Sequence, residues 1–407
     1  YLVAGTLNCE DALYSYRISH CSNISDSYDA FDCELCYEVS YSKTLYNCRH
    51  CTQCHLSGGL TLCADCNGCQ DCFGCVNLRN KKYHIFNEAF EKEEYEKKVR
   101  LLLSNMPDAV SQYESFRKTQ PHRAVDAVNC EASSGDHLLN CKNCHDVFSH
   151  RDSEDCRYGA FCEGNRFCMD ANFSNVGELQ FNSTNLVKNY HVLFANFAWY
   201  DKNAIYVTSC FNSSDIFGCV GMKKHSYCIL NKQYTKEEYE ELVPKIIDHM
   251  RKTGEWGNYF PPKFSPFGFN ETAANVEHPL DRETVLHRGW KWHEETKTSQ
   301  QKSDKAYEIP SDITDVSDDI TSQVLTCEVT GKSYKIVPQE LKFYRQMGLP
   351  IPRKCPDQRY RERVALRNPH KLWKRPCMHC SKEMETTYAP DRPEIVYCEE
   401  CYLKEVY

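Results

Sequence analysis

The spacing of the cysteines is the feature that most constrains this chain. It holds 27 cysteines among 407 residues. Before residue 229, every cysteine except Cys130 is separated from the others by a multiple of three residues. Between the cysteines, the same track carries mostly small or apolar residues such as Ala12, Ile18 and Ser27. A period of three matches neither an amphipathic helix, at about 3.6, nor an ordinary strand, at about 2. It predicts a narrow solenoid in which every third side chain points inward.

A second period, of twelve residues, groups these positions into coils. Spacings of twelve recur along the chain, for example at Cys9, Cys21 and Cys33. Twelve residues with four inward positions make one small coil, and such repeats bury a core only by stacking. The spacing resembles that of the twelve-residue, cysteine-lined β-helix of certain insect antifreeze proteins. We reject an antifreeze function, because the flanking residues do not form the outward Thr-x-Thr ladder that ice binding requires.

The solenoid unit occurs twice in the sequence. Segments 72–99 and 216–243 align without gaps at an offset of 144 residues and are identical at 13 of 28 positions. In both copies the cysteine-rich part is followed by a short exit segment and then by a predicted helix. The second helix begins with a capping box at Thr235 to Glu238. Each helix is expected to cover the open end of its solenoid, with partner binding as the alternative role.

The predicted fold class is mainly β. It is a tandemly duplicated narrow β-helix with about twelve residues per coil, with capping helices and a C-terminal zinc-ribbon module. One short helix is expected near 281–288, and the acidic, polar segment 303–323 is expected to be a flexible linker. The predicted domains are a first cysteine-rich β-solenoid (1–86), a helical cap and connector (87–129), a second cysteine-rich β-solenoid (130–232), a helical cap (233–253), a connector and acidic linker (254–326), a degenerate zinc ribbon with a basic segment (327–376) and an intact zinc ribbon (377–407).

Two CxxC pairs near the C-terminus form the most specific site motif. "CMHC" contains Cys377 and Cys380, and after 17 further residues "CEEC" contains Cys398 and Cys401. Such paired knuckles supply four thiolates for a tetrahedral Zn²⁺, and the intervening length suits a hairpin. The stretch "YAPDRPEIVYCEECY" resembles the second half of small bacterial zinc ribbons that end in a "PVYC" knuckle. The motif predicts a structural zinc site, because four thiolates leave no coordination position open for catalysis.

A second, incomplete pair of knuckles lies upstream. Cys327 and Cys355 keep the first place of each knuckle, whereas Thr330 and Gln358 occupy the second place. With its aromatic "FY" segment, this stretch resembles the family called probable zinc-ribbon domain, which places CxxC-G before that segment and CPxC-R after it. Two thiolates bind zinc poorly, so we expect a ribbon without metal; zinc held with other side chains is the alternative. The ribbon would be held by packing of Tyr334, Ile336, Leu341, Phe343 and Tyr344.

The segment between these two motifs is strongly basic. It contains nine Lys and Arg residues but only two acidic residues, Asp357 and Glu362, and aromatic residues lie between the basic ones. Such a segment could bind a phosphate backbone and stack on bases; the alternative is a solvated helix face that joins the ribbons. The frequent association of zinc ribbons with nucleic acid favours binding by analogy. The candidate contacts are Arg353, Lys354, Arg359, Arg361, Arg363, Arg367, Lys371, Trp373, Lys374 and Arg375.

Nothing in the sequence indicates catalysis. It contains no phosphate-binding glycine loop, no nucleophile elbow and no HExxH zinc motif. The net charge of -8 excludes a global polycation. No run of 18 apolar residues occurs, so no membrane span is predicted.

Three functional hypotheses follow. The first is a non-enzymatic, cytoplasmic, zinc-binding scaffold that binds nucleic acid or a nucleic-acid-associated protein through its basic C-terminal ribbons. The second is a disulfide-bonded structural or adhesive solenoid, with bonds between residues six apart such as Cys63 and Cys69. The third is a solenoid whose inward cysteines bind several metal ions. The intact zinc motif favours the first, because zinc thiolates suit a reducing compartment. Buried packing, disulfides and metal remain open for the inward cysteines, as does the oligomeric state.

Overall fold

The structure is a computed structural model that describes residues 1–294 and 307–407. It is strand-rich, and its two large sheets are curled. The chain forms two compact units, each built around one of these sheets. The first unit contains 1–122, the described part of 295–367, and 393–407, and the second unit contains 123–294 and 368–392.

Most strands are short and belong to one of two series, here called the first and second ladder. The first ladder consists of β1 (Glu10–Leu13), β2 (Tyr16–Ser19), β3 (Ser22–Ser25), β4 (Tyr28–Phe31), β5 (Glu34–Thr52), β6 (His55–Ala64), β7 (Gln70–Phe73), β8 (Lys82–Ile85) and β9 (Glu88–Ala89). A separate strand, β10 (Pro121–Arg123), precedes the second ladder. The second ladder consists of β11 (Ala127–Val128), β12 (Gly135–Asp136), β13 (Leu138–Leu139), β14 (Val147–Phe148), β15 (Arg166–Asn175), β16 (Glu178–Val187), β17 (Tyr190–Leu193), β18 (Asn196–Trp199), β19 (Lys202–Ile205), β20 (Thr208–Phe211), β21 (Ser214–Phe217), β22 (Ser226–Ile229) and β23 (Lys232–Gln233).

The remaining elements are helices and the short strands of the ribbon segments. These strands are β24 (Leu325–Thr326), β25 (Ser333–Tyr334), β26 (Trp373–Pro376), β27 (Glu383–Thr386) and β28 (Ile395–Tyr397). The α-helices are α1 (Lys92–Ser104), α2 (Met106–Lys118), α3 (Lys236–Thr253), α4 (Ala273–Glu277), α5 (Arg282–His287), α6 (Pro338–Met347), α7 (Pro356–Ala365) and α8 (Glu399–Val406). The 3₁₀ helices are Pro262–Phe264, Phe269–Glu271, Ile313–Asp315 and Asp318–Ser322.

Strands of the first ladder pair in parallel at an offset of twelve residues. Glu10 lies opposite Ser22, and Ser22 lies opposite Glu34. Strand β5 has 19 residues, more than one repeat, and pairs with β3 and β4 before it and with β6 after it. The first part of β5 pairs with earlier strands and its last part pairs with a later strand, and this arrangement curls the sheet. The side chains at every third position, from Ala12 to Cys75, form one buried cluster.

The backbone also repeats every three residues, which accounts for the period of the side chains. The residue before each buried position has a left-handed conformation, with φ of 51° at Asn8, 48° at Asp11 and 47° at Tyr14. Asn and Asp tolerate this region better than most residues with a Cβ. A left-handed residue changes the chain direction, so three residues separate successive inward side chains instead of two.

Cys130 departs from the three-residue spacing of the other cysteines for a structural reason. Ala127 lies opposite Leu138, an offset of eleven, whereas Gly135 lies opposite Val147, an offset of twelve. Because this repeat has one residue fewer, Cys130 occupies an inward position although its number breaks the period of three. Its thiol donates to the carbonyl two residues earlier, as the thiols of other inward cysteines do. Gly135 has φ of 141°, and a Cβ there would lie 1.7 Å from the Val147 carbonyl oxygen, so only glycine fits.

The helices that follow each ladder pack against its outer side. Helix α3 contacts a row of apolar side chains that recur every twelve residues on the second ladder, and α1 and α2 pack on Phe73 and Ile85 of the first. The last parallel strand of each ladder is followed by a short antiparallel strand, β9 or β23. The helices therefore cover a lateral face, where the sequence analysis expected them to cover an open end, because these outward positions are apolar. The row on the second ladder is Phe181, Leu193, Ile205, Phe217 and Ile229.

The predicted acidic linker is folded where the structure describes it. Ile309, Ile313, Val316 and Ile320 recur every three or four residues and are buried in the same cluster as α6. This apolar stripe outweighs the polar composition on which the prediction of flexibility rested. The first part of that linker, up to residue 306, lies outside the described residues. The short helix expected near 281–288 is confirmed as α5.

Candidate metal centre

The four cysteines predicted as zinc ligands lie together. The sulfur atoms of Cys377, Cys380, Cys398 and Cys401 all lie within 4.8 Å of one another. Sulfurs in a tetrahedron with Zn–S bonds of about 2.3 Å would be separated by about 3.8 Å, which this grouping can reach with small adjustments. Cys380 is exposed and Cys377 is buried, so the group lies at the surface with an inner side. This group could hold a metal ion.

The first pair of ligands lies in the turn of a hairpin. Strands β26 and β27 are antiparallel, with Pro376 opposite Glu383. In the turn, the Cys377 backbone N–H donates to Lys382 O at 2.8 Å, and the Ser381 N–H donates to Cys377 O at 2.9 Å. Ser381 has φ of 62°, and this left-handed residue closes the turn. The turn places Cys377 and Cys380 side by side.

The second pair of ligands begins helix α8. Cys398 is the N-cap of α8 and Cys401 lies in its first turn, so a spacing of three puts both side chains on one face. The N-terminus of a helix favours anionic groups, so this position suits thiolates bound to a metal. Within the first unit, Tyr402 of the same helix donates from its hydroxyl to Asp65 and Asn77. These contacts orient the helix that carries the ligands.

The donor set fits a structural zinc ion. Four thiolates complete a tetrahedron and are the donors of structural zinc sites. Among residues 1–294 and 307–407, no other group of three or more Cys, His, Asp or Glu ligand atoms is comparably close. The cysteines inside the ladders therefore do not form a ready tetrathiolate group, although their number is larger.

In the incomplete knuckles, the residues at the second places make hydrogen bonds, and only that of Thr330 joins the two knuckles. Thr330 Oγ1 lies 3.9 Å from Cys355 Sγ, and the Gln358 amide donates to Glu362 at 3.0 Å. Burial disfavours the Cys327 thiolate, but hydrogen bonds from the Thr330 side chain and the Cys355 backbone outweigh it and lower the pKa of Cys327 to about 7. The aromatic and aliphatic residues expected to hold this ribbon are buried in one cluster, namely Tyr334, Ile336, Leu341, Phe343 and Tyr344.

Thiols inside the ladders act as small hydrogen-bond donors. Cys54 Sγ donates to the carbonyls of Thr52 at 3.4 Å and of Cys63 on the next coil at 3.6 Å. Serine does the same at equivalent positions: Ser15 Oγ donates to Leu13 O at 2.8 Å. Cysteine and serine therefore make the same local hydrogen bond on this track.

Thiol–thiol hydrogen bonds and burial shift the pKa values of these interior cysteines in opposite directions. Hydrogen bonds with Cys36 and Cys51 lower the pKa of Cys48. Cys63 and Cys69, six residues apart, are not joined by a disulfide. In the second ladder, burial raises the pKa of Cys210 to about 11, which keeps this thiol neutral at physiological pH. A buried neutral thiol packs as a small apolar side chain.

Two of the predicted nucleic-acid contacts are engaged inside the first unit. Arg359 is 5% exposed and pairs with Asp26 at 2.9 Å and with Glu340 at 3.2 Å. Arg363 pairs with the same Asp26 at 2.6 Å. Tyr14 donates to Glu340 at 2.8 Å and completes the network. Both arginines form ion pairs with buried carboxylates, so their side chains do not face a phosphate backbone in solvent.

The other predicted contacts divide into engaged and exposed side chains. Arg375 is buried and donates to Ala389 O at 3.2 Å, and Lys354 pairs with Glu362 at 2.9 Å. Arg367 lies over the Tyr28 ring at 4.5 Å. Trp373 is half-buried, with Lys371 Nζ 5.1 Å from its ring centre. The exposed residues of the set are Arg353, Arg361, Lys371 and Lys374.

The sequence analysis did not single out Asp26 or Glu340. Asp26 occupies a left-handed position with φ of 55°, where aspartate is common for reasons of backbone conformation alone. Its burial and its two arginine partners depend on a contact 333 residues away along the chain. No local pattern could have predicted it.

Comparisons with family models and with curated proteins give no match to this chain. No family model matches it, and no curated protein matches it significantly. None of the helices in the described residues combines the length and the apolar character that crossing a membrane would require.

Proposed function

We propose that the protein is a non-enzymatic scaffold whose C-terminal knuckles hold one structural zinc ion. The observation that carries this proposal is the convergence of four cysteine sulfurs within 4.8 Å. Zinc bound by four thiolates has no open position for water or substrate, so its contribution is to folding. Zinc would be held by Cys377, Cys380, Cys398 and Cys401.

We also propose that each ladder is a narrow β-helix with twelve residues per coil. The parallel offset of twelve and the left-handed residue at every third position support this interpretation. The interior is then narrow, which favours cysteine, serine and alanine, with larger residues such as Ile18 and Leu60 at a minority of the inward positions. Stacked coils of this kind give a rigid rod-like support with long outer faces.

Nucleic-acid binding by the C-terminal basic segment remains a prediction, now restricted to its exposed residues. Arg353, Arg361, Lys371 and Lys374 are exposed, and Lys371 lies beside Trp373. A cluster this small would contribute a shallow salt dependence, because each phosphate contact releases about one counterion. Substituting Arg361, Lys371 and Lys374 together tests it.

The zinc proposal is tested by metal and thiol analysis of the full chain. Purified without added metal under reducing conditions, the protein should contain about one zinc per chain. Replacement by Co²⁺ should give the absorption of a tetrahedral thiolate complex. After denaturation in chelator, a thiol assay should find essentially all 27 cysteines reduced. No zinc would contradict the proposal, several ions would indicate a metal-loaded ladder, and a large thiol deficit would indicate a disulfide scaffold.

A further inference from the structure

One outer face of the second ladder carries large aromatic side chains that the fold leaves in solvent. The exposed fractions are 42% for Phe197, 39% for Trp199 and 51% for Tyr200, and Tyr190, on the separate strand β17, is 43% exposed. Phe197 and Trp199 stack with ring centres 5.4 Å apart and an interplanar angle of 25°. Clusters of exposed aromatic rings on a soluble fold usually mark a binding surface. We call this surface the aromatic–lysine face, for the lysines described below.

The face is built by the twelve-residue register. Val187 lies opposite Trp199, and Trp199 lies opposite Phe211, so these three side chains form one outward row. Neighbouring positions in such a row are about 4.8 Å apart, the distance between paired strands. The Trp199 and Phe211 rings meet edge to face with centres 5.5 Å apart. The rings are therefore fixed by the ladder before any ligand arrives.

Lysines are interleaved with these rings. Lys188 Nζ lies 5.9 Å from the Tyr200 ring centre, and Lys202 Nζ lies 5.8 Å from that of Tyr190. Residues 184–224 contain four lysines and two aspartates, and one of these, Asp201, is only 1% exposed. The face is thus locally positive in a chain whose net charge is -8.

The first ladder shows that the fold does not require these aromatic residues. At the offset of 144, Trp199 corresponds to His55 and Phe211 corresponds to Asn67. His55 and Asn67 lie opposite each other in the first ladder, as Trp199 and Phe211 do in the second. Tyr190 has a tyrosine at its equivalent position, Tyr46, but the other rings and lysines have different residues in the first copy. These replacements are Gln53 for Phe197, Leu56 for Tyr200, Thr44 for Lys188 and Gly58 for Lys202.

We propose that the aromatic–lysine face binds single-stranded nucleic acid. Exposed rings can stack on unpaired bases of any sequence, while lysines beside them neutralise the phosphates. A duplex offers no free base faces to Trp199 or Tyr200, so single strands are preferred. This inference goes beyond the proposed zinc scaffold and does not depend on the C-terminal basic segment.

The test uses the full chain and a fluorescein-labelled 20-nucleotide oligo(dT), with binding followed by fluorescence anisotropy between 50 and 200 mM salt. The key variant, Trp199→His with Tyr200→Leu, introduces the residues that the first ladder carries. We expect it to weaken binding about 10-fold or more, the size of effect known for removing a stacking ring. Lys188→Thr should reduce the slope of log affinity against log salt by about 0.7.

Tyr158→Leu is the matched control, because Tyr158 is also exposed on the second ladder but lies outside the face. It should bind like the wild type. Zinc content and thermal unfolding of every sample show whether the variants are folded, and they separate a failure of this proposal from a failure of the zinc proposal. The proposal is overturned if wild-type protein with normal zinc content does not bind the oligonucleotide, or if the double variant binds it equally well. Binding of a neutral polysaccharide in place of the oligonucleotide would also overturn it.

Discussion

The chain contains two pairs of ribbon knuckles that are closed by different chemistry. In the C-terminal pair, four cysteine sulfurs converge within 4.8 Å. In the upstream pair, Thr330 and Gln358 replace two of the cysteines and make hydrogen bonds. The ribbon that carries the upstream pair is fixed instead by a buried cluster and by the Arg359 ion pairs with Asp26 and Glu340.

The two segments thus bring together different stabilising groups: four thiols in one, and a buried cluster with ion pairs in the other. A small ribbon has too little core to be stable alone, so it requires a metal or a neighbouring surface. The upstream ribbon packs its aromatic residues with Tyr14 and Tyr37 of the first ladder. That surface gives the upstream segment a buried core without four thiols.

The largest expected effect comes from removing one ligand of the C-terminal group. Cys398→Ala should reduce bound zinc from about one per chain to nearly none. It should destabilise the C-terminal ribbon strongly, since structural zinc contributes about 10–16 kcal/mol in zinc-finger peptides. Elemental analysis and limited proteolysis of the C-terminus measure the two effects.

Cys355→Ala is the matched control for that experiment. Cys355 is the N-cap of α7, as Cys398 is of α8, yet it lies in the pair without four thiols. The control should keep its zinc and lose only about 1 kcal/mol, as is common for a core substitution. Loss of zinc in both variants would remove the distinction between the two ribbons.

An intermediate effect is expected from the buried ion pairs. Arg359→Met leaves Asp26 with Arg363 alone and leaves Glu340 without a cation. Breaking a buried pair in this way costs about 3–5 kcal/mol. The urea-unfolding midpoint of the first unit should fall accordingly, while zinc content stays unchanged.

Arg361→Met serves as the comparison for this loss, because Arg361 is exposed two residues away on the same helix. Surface substitutions of this kind usually change stability by less than about 0.5 kcal/mol. Equal midpoints for the two variants would show that the ion pairs do not hold the upstream ribbon in place.

The smallest expected effect concerns the Cys327 thiol. Thr330→Val removes a hydrogen bond that favours the thiolate, so the pKa of Cys327 should rise from about 7. A lowered pKa in the folded state adds stability above the unfolded value and loses it as pH falls through about 7. The stability advantage of the wild type over the variant should therefore grow between pH 6 and pH 9.

Urea midpoints at several pH values under reducing conditions measure this trend. Thr330→Ser keeps the hydroxyl and should follow the wild type at every pH. A pH-independent difference between wild type and Thr330→Val would mean that packing of the Thr330 methyl, and not its hydrogen bond, stabilises the knuckle.

Local repetition in the sequence predicted a large part of the structure. The period of three corresponds to a left-handed residue before each buried side chain, and the period of twelve corresponds to the pairing offset. Even the one irregular cysteine, Cys130, marks a real eleven-residue repeat. The four C-terminal cysteines were identified by spacing alone, because a CxxC turn brings two thiols together within four residues.

Other expectations failed where the answer depended on distant partners. The basic segment was judged by its own composition, which cannot show that Arg359 and Arg363 face a buried aspartate. The helices after each ladder were expected at an open end, but they pack along outward apolar rows that include Phe181 and Leu193. The acidic segment around Ile313 and Ile320 was expected to be flexible because of its charges. Its apolar side chains are instead buried in a cluster, so the segment is folded.

The sequence by itself determined the repeat, its duplication and the C-terminal cysteine group, because backbone geometry and short-range spacing specify all three. Only the tertiary structure decided which charges are buried, which faces the helices cover and which aromatic side chains remain in solvent. The physical reason is the range of the interactions: a turn is set within three residues, whereas the partner of Arg359 lies 333 residues away.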